Sequence, residues 1–288
     1  MECGHLNYVI YKKQEIGQRG RLSSILRRHS VTEILAESKS LRECIKNNDI
    51  PPESVLVIAA TDQTIREANE LSVAVLGYRN PRFPLEELYG TEYLVESLEE
   101  IDYYFLERVY QRKHGLPWRV IETNRCYLRE ITLLDLPDLY DLYGQKGMTD
   151  YMEPLYDKEK EYAYTKAYIQ NMYRYYGYGM WLVKDRDTDE LIGRAGFDHF
   201  ESEGECMLEM GYAISTLRQR QGYGFEVCQA MLAYAKGAEL GFEQVHCFVR
   251  EENTASLALL KKLRFRLLGS KILNGRKMLW YVFDLCLF

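Results

Sequence analysis

The sequence lacks the features that mark membrane, secreted and disordered proteins. Its 288 residues contain no low-complexity tract, only 7 prolines, and no apolar run near the roughly 20 residues that span a bilayer. Residues 1–18 are too polar for a secretory signal. These absences predict a globular protein of the cytoplasm that has no membrane partner.

Excess basic charge is also absent. The chain has 37 Lys and Arg against 43 Asp and Glu, for a net charge of -6. A non-specific nucleic-acid binder gains its affinity by neutralising phosphates with clustered Lys and Arg. We therefore expect no nucleic-acid partner, and a cationic or amine-bearing partner suits the chain better.

Metal and disulfide motifs are missing as well. No cysteine pair has C-x-x-C spacing or lies near paired histidines. Small buried hydrophobic residues in a reducing compartment are the expected role, and no structural metal is predicted. The seven cysteines are Cys3, Cys44, Cys126, Cys206, Cys228, Cys247 and Cys286.

The apolar periodicity lapses around His114–Trp118, where we place a boundary between domains 1–118 and 119–288. The order of elements before it predicts a small parallel α/β domain with right-handed connections. The expected elements are helices at Gly20–Asn48, Asp62–Leu71 and Ser97–Arg112, the last opened by Ser97 and Glu100, and strands at Ser54–Ala60, Val73–Leu76 and Tyr93–Val95.

The second domain has a mixed α/β pattern. Its predicted strands are Cys126–Ile131, Met180–Lys184, Leu191–Phe197, Met207–Ile214, Gln244–Val249 and a closing hairpin of Arg266–Ile272 with Lys277–Leu287, turning at Gly275. Its predicted helices are Leu136–Tyr143, Lys158–Tyr175, one that follows the Arg218–Gly224 loop and reaches Leu240, and Thr254–Leu263.

The most informative segment is the loop Gln219–Gly224, which follows a strand and opens an amphipathic helix. Its two glycines, Gly222 and Gly224, allow close approach to the backbone. A loop of this kind directs N–H groups and the positive end of the helix dipole at one point, which suits a pyrophosphate. A turn that merely connects strand and helix is the structural alternative. The loop matches neither common nucleotide-binding motif.

Context favours the first interpretation, because the segment resembles the GNAT superfamily of N-acyltransferases, closest to the RimJ/RimL-like branch. The family's acyl-CoA loop, Q/R-x-x-G-x-G/A, is matched at Gln219–Gly224 within a resemblance covering about Cys126 to Phe288. Further matches in register are Glu209-Met210-Gly211-Tyr212, Glu226, Asn253-x-x-Ser256 and Leu263-Arg264-Phe265.

The resemblance implies a mostly antiparallel sheet splayed between two parallel strands, Met207–Ile214 and Gln244–Val249, where a thioester meets an amine. Acetyl-CoA is the implied co-substrate, and backbone N–H groups near Met210–Tyr212 would polarise its carbonyl. The residues implied to bind it are Met210, Gly211, Gln219, Arg220, Gln221, Gly222, Tyr223, Gly224, Asn253 and Ser256.

Acetyl transfer needs a base that takes a proton from the ammonium. Glu209 is the first candidate, with Glu203 and Glu205 behind it, although a strand carboxylate can also be merely solvated or salt-bridged. Many relatives place a Tyr where this chain has Leu260, so Tyr212, Tyr223 or water is expected to supply the acid. Tyr212 is the assigned one. Arg264 replaces the family's usual Gly, which puts the local turn in doubt.

The acceptor side is suggested by a tyrosine-rich segment that roofs the substrate site in relatives. Tyrosines offer apolar faces, hydroxyl donors and cation-π contact to an amine, but ordinary packing accounts better for most of them. Asp198 and His199 are further candidates. The segment contains Tyr162, Tyr164, Tyr168, Tyr173, Tyr175, Tyr176 and Tyr178, with Trp181 beyond.

The first domain resembles the late part of a haloacid-dehalogenase-like Rossmannoid core, through residues 54–78 and 93–101. Ala60 and Thr64 stand where that family has the acids of its magnesium site, and no nucleophile motif lies upstream. Phosphoryl transfer therefore lacks its means of charge stabilisation. Asp62 is interpreted as a helix N-cap rather than a metal ligand. A degenerate, non-catalytic domain for docking, ligand sensing or homodimerisation is expected.

These residues predict an N-acetyltransferase that transfers directly to a primary amine in a ternary complex. The acceptor is left open between a small molecule and a protein N-terminus. Leu260 and the inert first domain keep an alternative, a non-catalytic sensor of acyl-CoA or another metabolite. A phosphatase with an unusual site is the least supported.

Overall fold

The computed structural model describes residues 5–17, 19–37, 40–202, 204–238 and 240–287. It divides into two units, Met1–Trp118 and Arg119–Phe288. Within the described ranges, no helix has the length and apolar character needed to cross a bilayer.

Unit 1 is built on a parallel sheet. Its described strands are β1 (Tyr8–Lys12), β2 (Thr32–Ala36), β3 (Val55–Ala59), β4 (Ala74–Tyr78) and β5 (Leu94–Val95), and its helices are α1 (Gly20–Arg28), α2 (Leu41–Asn47), α3 (Asp62–Glu70) and α4 (Tyr103–Lys113). The strand order is β2-β1-β3-β4-β5. Every residue of β3 is buried, because alternate side chains enter two cores, one with α1 and α4 and one with α2 and α3.

The parallel sheet predicted for unit 1 is confirmed, but the predicted helix over Gly20–Asn48 is wrong. The chain leaves α1 at Ser30, which has a φ of 58°, and forms β2 before α2. Pairing with β1 along its whole length fixes β2, and such tertiary pairing outweighs a helix-like spacing of apolar residues. The strand β1 was not predicted.

Two helix starts in unit 1 also differ from prediction. The helix predicted from Ser97 is α4 and begins only after Asp102, whose carboxylate accepts from the Phe105 N–H at 2.7 Å. Asp62 is not the cap of α3, because Thr61 accepts from the Thr64 N–H in that role. In both cases the cap lies directly before the first buried turn.

Unit 2 is a mixed α/β fold. Its strands are β6 (Arg119–Glu122), β7 (Cys126–Arg129), β8 (Met180–Asp185), β9 (Leu191–Ser202), β10 (Glu205–Ile214), β11 (Gln244–Val249), β12 (Arg266–Leu273) and β13 (Arg276–Asp284). Its described α-helices are α5 (Leu136–Tyr143), α6 (Lys158–Tyr168), α7 (Tyr223–Gly237) and α8 (Thr254–Lys262). A π-helical segment, Ile169–Tyr176, follows α6.

The sheet of unit 2 has the order β12-β13-β11-β10-β9-β8-β7-β6. Its described pairings are antiparallel except for β10 with β11, which is parallel. This confirms the prediction of a mostly antiparallel sheet around two parallel strands. Helix α7 packs its buried side chains, among them Val227 and Met231, into one core with Leu208 and Met210 of β10.

Most predicted elements of unit 2 are present. β6 was not predicted, and the helix predicted over Lys158–Tyr175 changes to π-helical geometry at Ile169 before Gly177 ends it at φ 73°. Arg264 adopts a φ of 68°, the conformation that glycine takes without steric cost. Arg264 thus occupies a turn whose backbone conformation favours glycine.

Candidate active site

A cavity of about 230 Å³ opens where β10 and β11 part. The two strands pair only at Leu208 with Val245 and at Glu209 with His246. Beyond those residues β10 continues with β9 and β11 continues with β13. N–H groups on the open side of β10 are thus left free of a ladder partner, as polarisation of a carbonyl requires.

The cavity brings together most of the predicted catalytic and pantetheine-side residues. Predicted residues that line it are Glu209, Met210, Gly211, Tyr212, Asn253 and Ser256. Side chains that the sequence did not single out for this site, notably Tyr143, Arg194 and Cys247, line it as well. The loop Gln219–Gly224 is not part of the cavity wall and lies instead at the start of α7.

Glu209 is the titratable carboxylate of the cavity. Burial, and to a smaller extent the nearby charge of Asp198, raise its pKa to about 7. A base with a pKa near neutrality is suited to take a proton at physiological pH. Of the other two candidates, Glu205 is exposed and Glu203 lies outside the described residues.

Tyr212 presents a buried hydroxyl to the same cavity. Burial raises its pKa well above the usual range, and the Cys247 and Cys228 thiols add to the rise. The Ser256 side chain opposes that rise, yet the geometry gives the hydroxyl no hydrogen-bond partner in the described parts of the chain. Tyr212 therefore stays protonated and has a free donor.

The other acid candidate lies elsewhere. The hydroxyl of Tyr223 is 3.5 Å from the Asp185 carboxylate, and Tyr223 is not among the residues lining the cavity. Leu260, which replaces the family's usual Tyr, is fully buried in the core. Of the two tyrosines expected to supply the acid, Tyr212 lines the cavity and Tyr223 does not.

The loop before α7 has the conformation expected of an anion-binding turn. Arg220 and Gly222 have φ values of 59° and 88°, and Gly222 occupies the N-cap of α7, where no side chain caps the helix. The first N–H groups of a helix have no partner within the helix. They remain available to an anion, together with the positive end of the dipole of a 15-residue helix.

A clasp formed by Arg125 and Glu226 braces this loop. The Glu226 carboxylate accepts from the Arg125 backbone N–H at 2.9 Å and from its Nε at 2.7 Å, while Nη1 donates to the Gln221 carbonyl at 3.0 Å. Burial acts to raise the pKa of Glu226, but the hydrogen bonds from Arg125 and Thr123 outweigh it and lower that pKa. The clasp fixes the strand-to-helix turn from the side of β7.

Known proteins resemble this chain in the same region. Residues 125–266 match the family model described as an acetyltransferase (GNAT) domain. An uncharacterized N-acetyltransferase of Bacillus subtilis, YoaA, is 30% identical over 149 residues, which are 51% of this chain and 82% of the relative. Another, YjdG of the same organism, is 27% identical over 151 residues, which are 51% of this chain and 89% of the relative.

The chain belongs to the GNAT acetyltransferase family. The solved structure of RimL, named as a ribosomal L7/L12 alpha-N-protein acetyltransferase in complex with coenzyme A, agrees in fold. It covers 58% of this chain and 98% of its own, with 19% identity and a TM-score of 0.50. The RimL-like fold expected for the C-terminal half is confirmed, and the protein is an acetyltransferase.

In this GNAT acetyltransferase two side chains of the tyrosine-rich segment hold the start of β8 in place. The Tyr168 hydroxyl accepts from the Met180 N–H at 2.7 Å, and Tyr173 donates to the Met180 carbonyl at 2.6 Å. Tyr178 and Trp181 are buried in the core, which confirms the packing interpretation for them. Tyr176 and His199, whose rings are 4.4 Å apart, are not part of the cavity wall.

The remaining predicted residues, Asn253 and Ser256, lie at the start of helix α8. Asn253 is its N-cap, and its side-chain oxygen accepts from the Ser256 N–H at 3.1 Å. Because both side chains line the cavity, the residue that starts the helix also borders the site. Asn is among the residues preferred at this position of a helix.

Unit 1 carries an internal carboxylate where its fold would place a ligand. In a doubly wound sheet of the order 2-1-3-4-5, ligands bind at the carboxyl ends of β1 and β3. There the buried Glu15 accepts from the Ala60 N–H at 2.8 Å, from the Thr61 hydroxyl at 3.0 Å and from the Thr64 hydroxyl at 2.5 Å. The start of α3 is thus already neutralised from within the chain.

Proposed function

We propose that unit 2 transfers an acetyl group from acetyl-CoA directly to a primary amine in the cavity between β10 and β11. The observation that carries this proposal is that Glu209 and Tyr212 line the same cavity. Glu209 has a pKa of about 7, and the protonated Tyr212 hydroxyl has no hydrogen-bond partner among the described residues. One group is fitted to remove a proton and the other to return one.

The residues present fit acetyl-CoA. The uncapped start of α7 and the left-handed turn at Gly222 suit its pyrophosphate, held by the backbone of Gln219–Gly224. Arg220 is exposed beside it, whereas the Arg218 guanidinium is already paired with Glu190 at 2.5 Å. Asn253 and Ser256 would border the pantetheine arm. When bound, acetyl-CoA supplies the activated acetyl group.

In the reaction, Glu209 takes a proton from the ammonium of the acceptor, directly or through one water. The amine lone pair then forms the bond to the acetyl carbon, and the carbon–sulfur bond breaks. Backbone N–H groups of β10 at Met210–Tyr212 polarise the carbonyl as it is attacked. Tyr212 donates its proton to the departing thiolate and regains one from the nitrogen, which loses its second proton as the amide forms. The products are an N-acetylated amine and free coenzyme A, with one proton left on Glu209.

Direct transfer is favoured over a covalent acetyl-enzyme by the state of Cys247. This thiol lines the cavity, but burial and the nearby Glu209 raise its pKa far above the usual value. A nucleophilic cysteine must be a thiolate, which the surroundings disfavour here. We therefore expect Cys247→Ala to retain turnover and no acetyl group to remain on the protein after acid quenching.

The similar proteins do not identify the acceptor of this chain. RimL is named as acting on a protein N-terminus, but its 19% identity with this chain carries the fold alone. We favour a small amine as the acceptor, because the cavity contains Arg194, a cation with no carboxylate partner among the described residues. The alternative of a non-catalytic sensor gains nothing from relatives that are named as acetyltransferases.

For unit 1 we propose a non-catalytic role in docking, ligand sensing or homodimerisation, in a protein of the cytoplasm. The internal carboxylate of Glu15 at the start of α3 supports the absence of a phosphoryl-transfer site. Ala60 and Thr64, which stand in place of the acids expected of a haloacid-dehalogenase-like domain, are both hydrogen-bonded to Glu15.

The decisive experiment is calorimetric titration of acetyl-CoA into the full chain, followed by thiol release with a panel of amines. Gly222→Ala should weaken binding about tenfold or more, since L-residues adopt positive φ at a cost of about 1–2 kcal/mol. Gly237→Ala is the matched control, because a Cβ there meets nothing within 4 Å and φ is not positive. Binding without release would favour the sensor, and no binding would refute the loop's role.

A further inference from the structure

Arg194 is a partly buried cation with no carboxylate partner among the described residues. Its Nη1 donates to the Tyr143 hydroxyl at 3.3 Å, and its Nε is buried without a hydrogen-bond partner among the described residues. The Tyr168 ring lies 6.0 Å from the guanidinium carbon, at the outer limit of a cation-π contact. No described carboxylate forms a salt bridge with it.

The side chain belongs to the same face of the sheet as the proposed base. Arg194 of β9 is opposite Ala213 of β10, and Glu209 is opposite Asp198, four residues along each strand. Residues at even spacing on a strand share a face, so Arg194, Gly211 and Glu209 all border the acceptor side of the cavity. Gly211 lies midway between the cation and the carboxylate.

Gly211 places no side chain of its own between these two charges. The flexible Met180 side chain lies over it, with its sulfur 3.3 Å from where a Cβ would stand, and borders the cavity together with Arg194 and Glu209. The distance along β10 from Glu209 to Ala213 is roughly 13 Å at about 3.3 Å per residue, and both long side chains can reach inward. An acceptor over Gly211 would have Glu209 at one end and Arg194 at the other.

An unpaired buried charge is costly, and a guanidinium is always protonated in proteins. Its planar fork matches a carboxylate through two parallel hydrogen bonds, and its Nε is one of the donors used in such pairs. An acceptor that carries an anionic group as well as its ammonium would therefore complete this site. The anion would lie at Arg194 and the ammonium at Glu209.

We propose that the acceptor is an amino acid or a close derivative, whose carboxylate is bound by Arg194 while its amine faces Glu209. This inference rests on the proposed function, because it places the acceptor in the same cavity. It narrows the acceptor from any primary amine to one that carries a carboxylate. A protein N-terminus, which has no carboxylate next to its amine, fits less well.

The test compares amino acids with their own amides, which keep the amine and side chain and lose only the negative charge. In thiol-release assays the wild type should prefer the acid over the amide by about 10- to 100-fold in kcat/KM, as a charge-assisted hydrogen-bond pair provides. In Arg194→Met this ratio should fall to near one, mainly through KM. Arg194→Lys should restore part of the preference because it retains the charge.

Binding gives a second readout that does not depend on turnover. Titration of the preferred amino acid into the full chain without acetyl-CoA should show a dissociation constant at least tenfold higher in Arg194→Met than in wild type. Arg266→Met is the matched control, since that guanidinium is on β12 with 59% of its side chain exposed. Melting temperatures of all variants identify any that fail to fold, and in that case Arg194→Lys decides.

The outcomes separate the inference from the function on which it rests. Equal rates with acids and amides, or a stronger preference for an amine that carries a phosphate, would overturn the carboxylate inference and leave the acetyltransferase intact. Failure of acetyl-CoA to bind, with no thiol released by any amine, would instead overturn the proposed function.

Discussion

Glu209 of β10 stands directly opposite Asp198 of β9 in the antiparallel register. Opposite residues of such a pair project from the same face, so the two carboxylates are neighbours. Burial of Glu209 and the like charge of Asp198 together raise the Glu209 pKa to about 7. The charge of the exposed Asp198 thus makes Glu209 more basic.

The first prediction concerns the pH profile. Wild-type kcat/KM should rise as Glu209 loses its proton, with a midpoint near pH 7. Asp198→Asn should move that midpoint to lower pH, because the like charge is removed while the burial remains. Glu205→Gln, which changes an exposed carboxylate on the same strand, should leave the midpoint unchanged. An unmoved midpoint in Asp198→Asn would show that another group titrates.

The second prediction is that Glu209→Gln lowers kcat/KM by about 100-fold or more, the usual contribution of a general base. The pH dependence near 7 should disappear with it, since glutamine does not titrate. The measurement is thiol release across pH 6 to 9 with an acceptor of low amine pKa. Retention of both rate and pH profile would exclude Glu209 as the base.

Glu209→Gln should increase the stability of the fold above pH 7, although it lowers the activity. A carboxyl whose folded pKa is raised from 4.5 to about 7 favours the fold below pH 4.5 and loses that contribution as pH rises through 7. At pH 8 Glu209→Gln should therefore be more stable than wild type, by about 1–3 kcal/mol at roughly 1.4 kcal/mol per pKa unit. Hydrogen exchange of β10 peptides at pH 8 and pH 5 tests this, and the difference should shrink at pH 5.

The third prediction concerns the donor. Tyr212→Phe removes only the hydroxyl, which is buried and unpartnered, so the fold should be undisturbed. We expect kcat to fall by about 10- to 100-fold, toward the lower end of what a general acid contributes, because water can replace it. The loss should be smaller with an acyl donor whose leaving thiol is more acidic. An equal loss with every donor would contradict a role at the thiolate.

The loop and the candidate base could be proposed from sequence because the motifs of the GNAT superfamily are short and local. Gly222 and Gly224 lie at a spacing that places them at a helix start, and Glu209 lies in the matching segment Glu209-Met210-Gly211-Tyr212. Cys247 and Arg194 were not identified as site residues, because strand register decides that they line the cavity. A charged residue between Gly193 and Gly196 in a buried strand is the one signal that could have found Arg194.

The errors in unit 1 have a related cause. Ile34 and Leu35 fit both a helical and a strand pattern, and only the pairing of β2 with β1 decides between them. Glu15 follows a strand that was not predicted, so its contact with Thr64 of α3, 49 residues later, is beyond local reasoning. The residue pattern of a single sequence does not reveal contacts between residues that are far apart in the chain.

The fourth prediction tests the clasp beside the coenzyme loop. Arg125→Ala removes the side-chain hydrogen bonds to the Gln221 carbonyl and the Glu226 carboxylate and leaves only the backbone N–H at position 125 on Glu226, so the turn at Gly222 loses its side-chain brace. We expect acetyl-CoA affinity to fall about tenfold, as one or two charge-assisted hydrogen bonds provide. Glu226→Gln should cause part of the loss, and the double variant should be no worse than Arg125→Ala. Calorimetric titration measures this, and Arg119→Ala is the control. Additive losses would show that the two residues act separately.

The fifth prediction concerns Glu15 in unit 1. This carboxylate is 2% exposed and accepts three hydrogen bonds at the start of α3, so Glu15→Ala leaves buried donors without partners. The expected cost is about 2–4 kcal/mol, from the penalty of about 1–3 kcal/mol for each unsatisfied buried group. Hydrogen exchange of peptides covering residues 60–70 should accelerate accordingly. Glu37→Ala, which removes an exposed carboxylate paired with Lys13, should leave that exchange unchanged. Unchanged exchange in Glu15→Ala would mean that water replaces the carboxylate, and the start of α3 would then be open to an external anion.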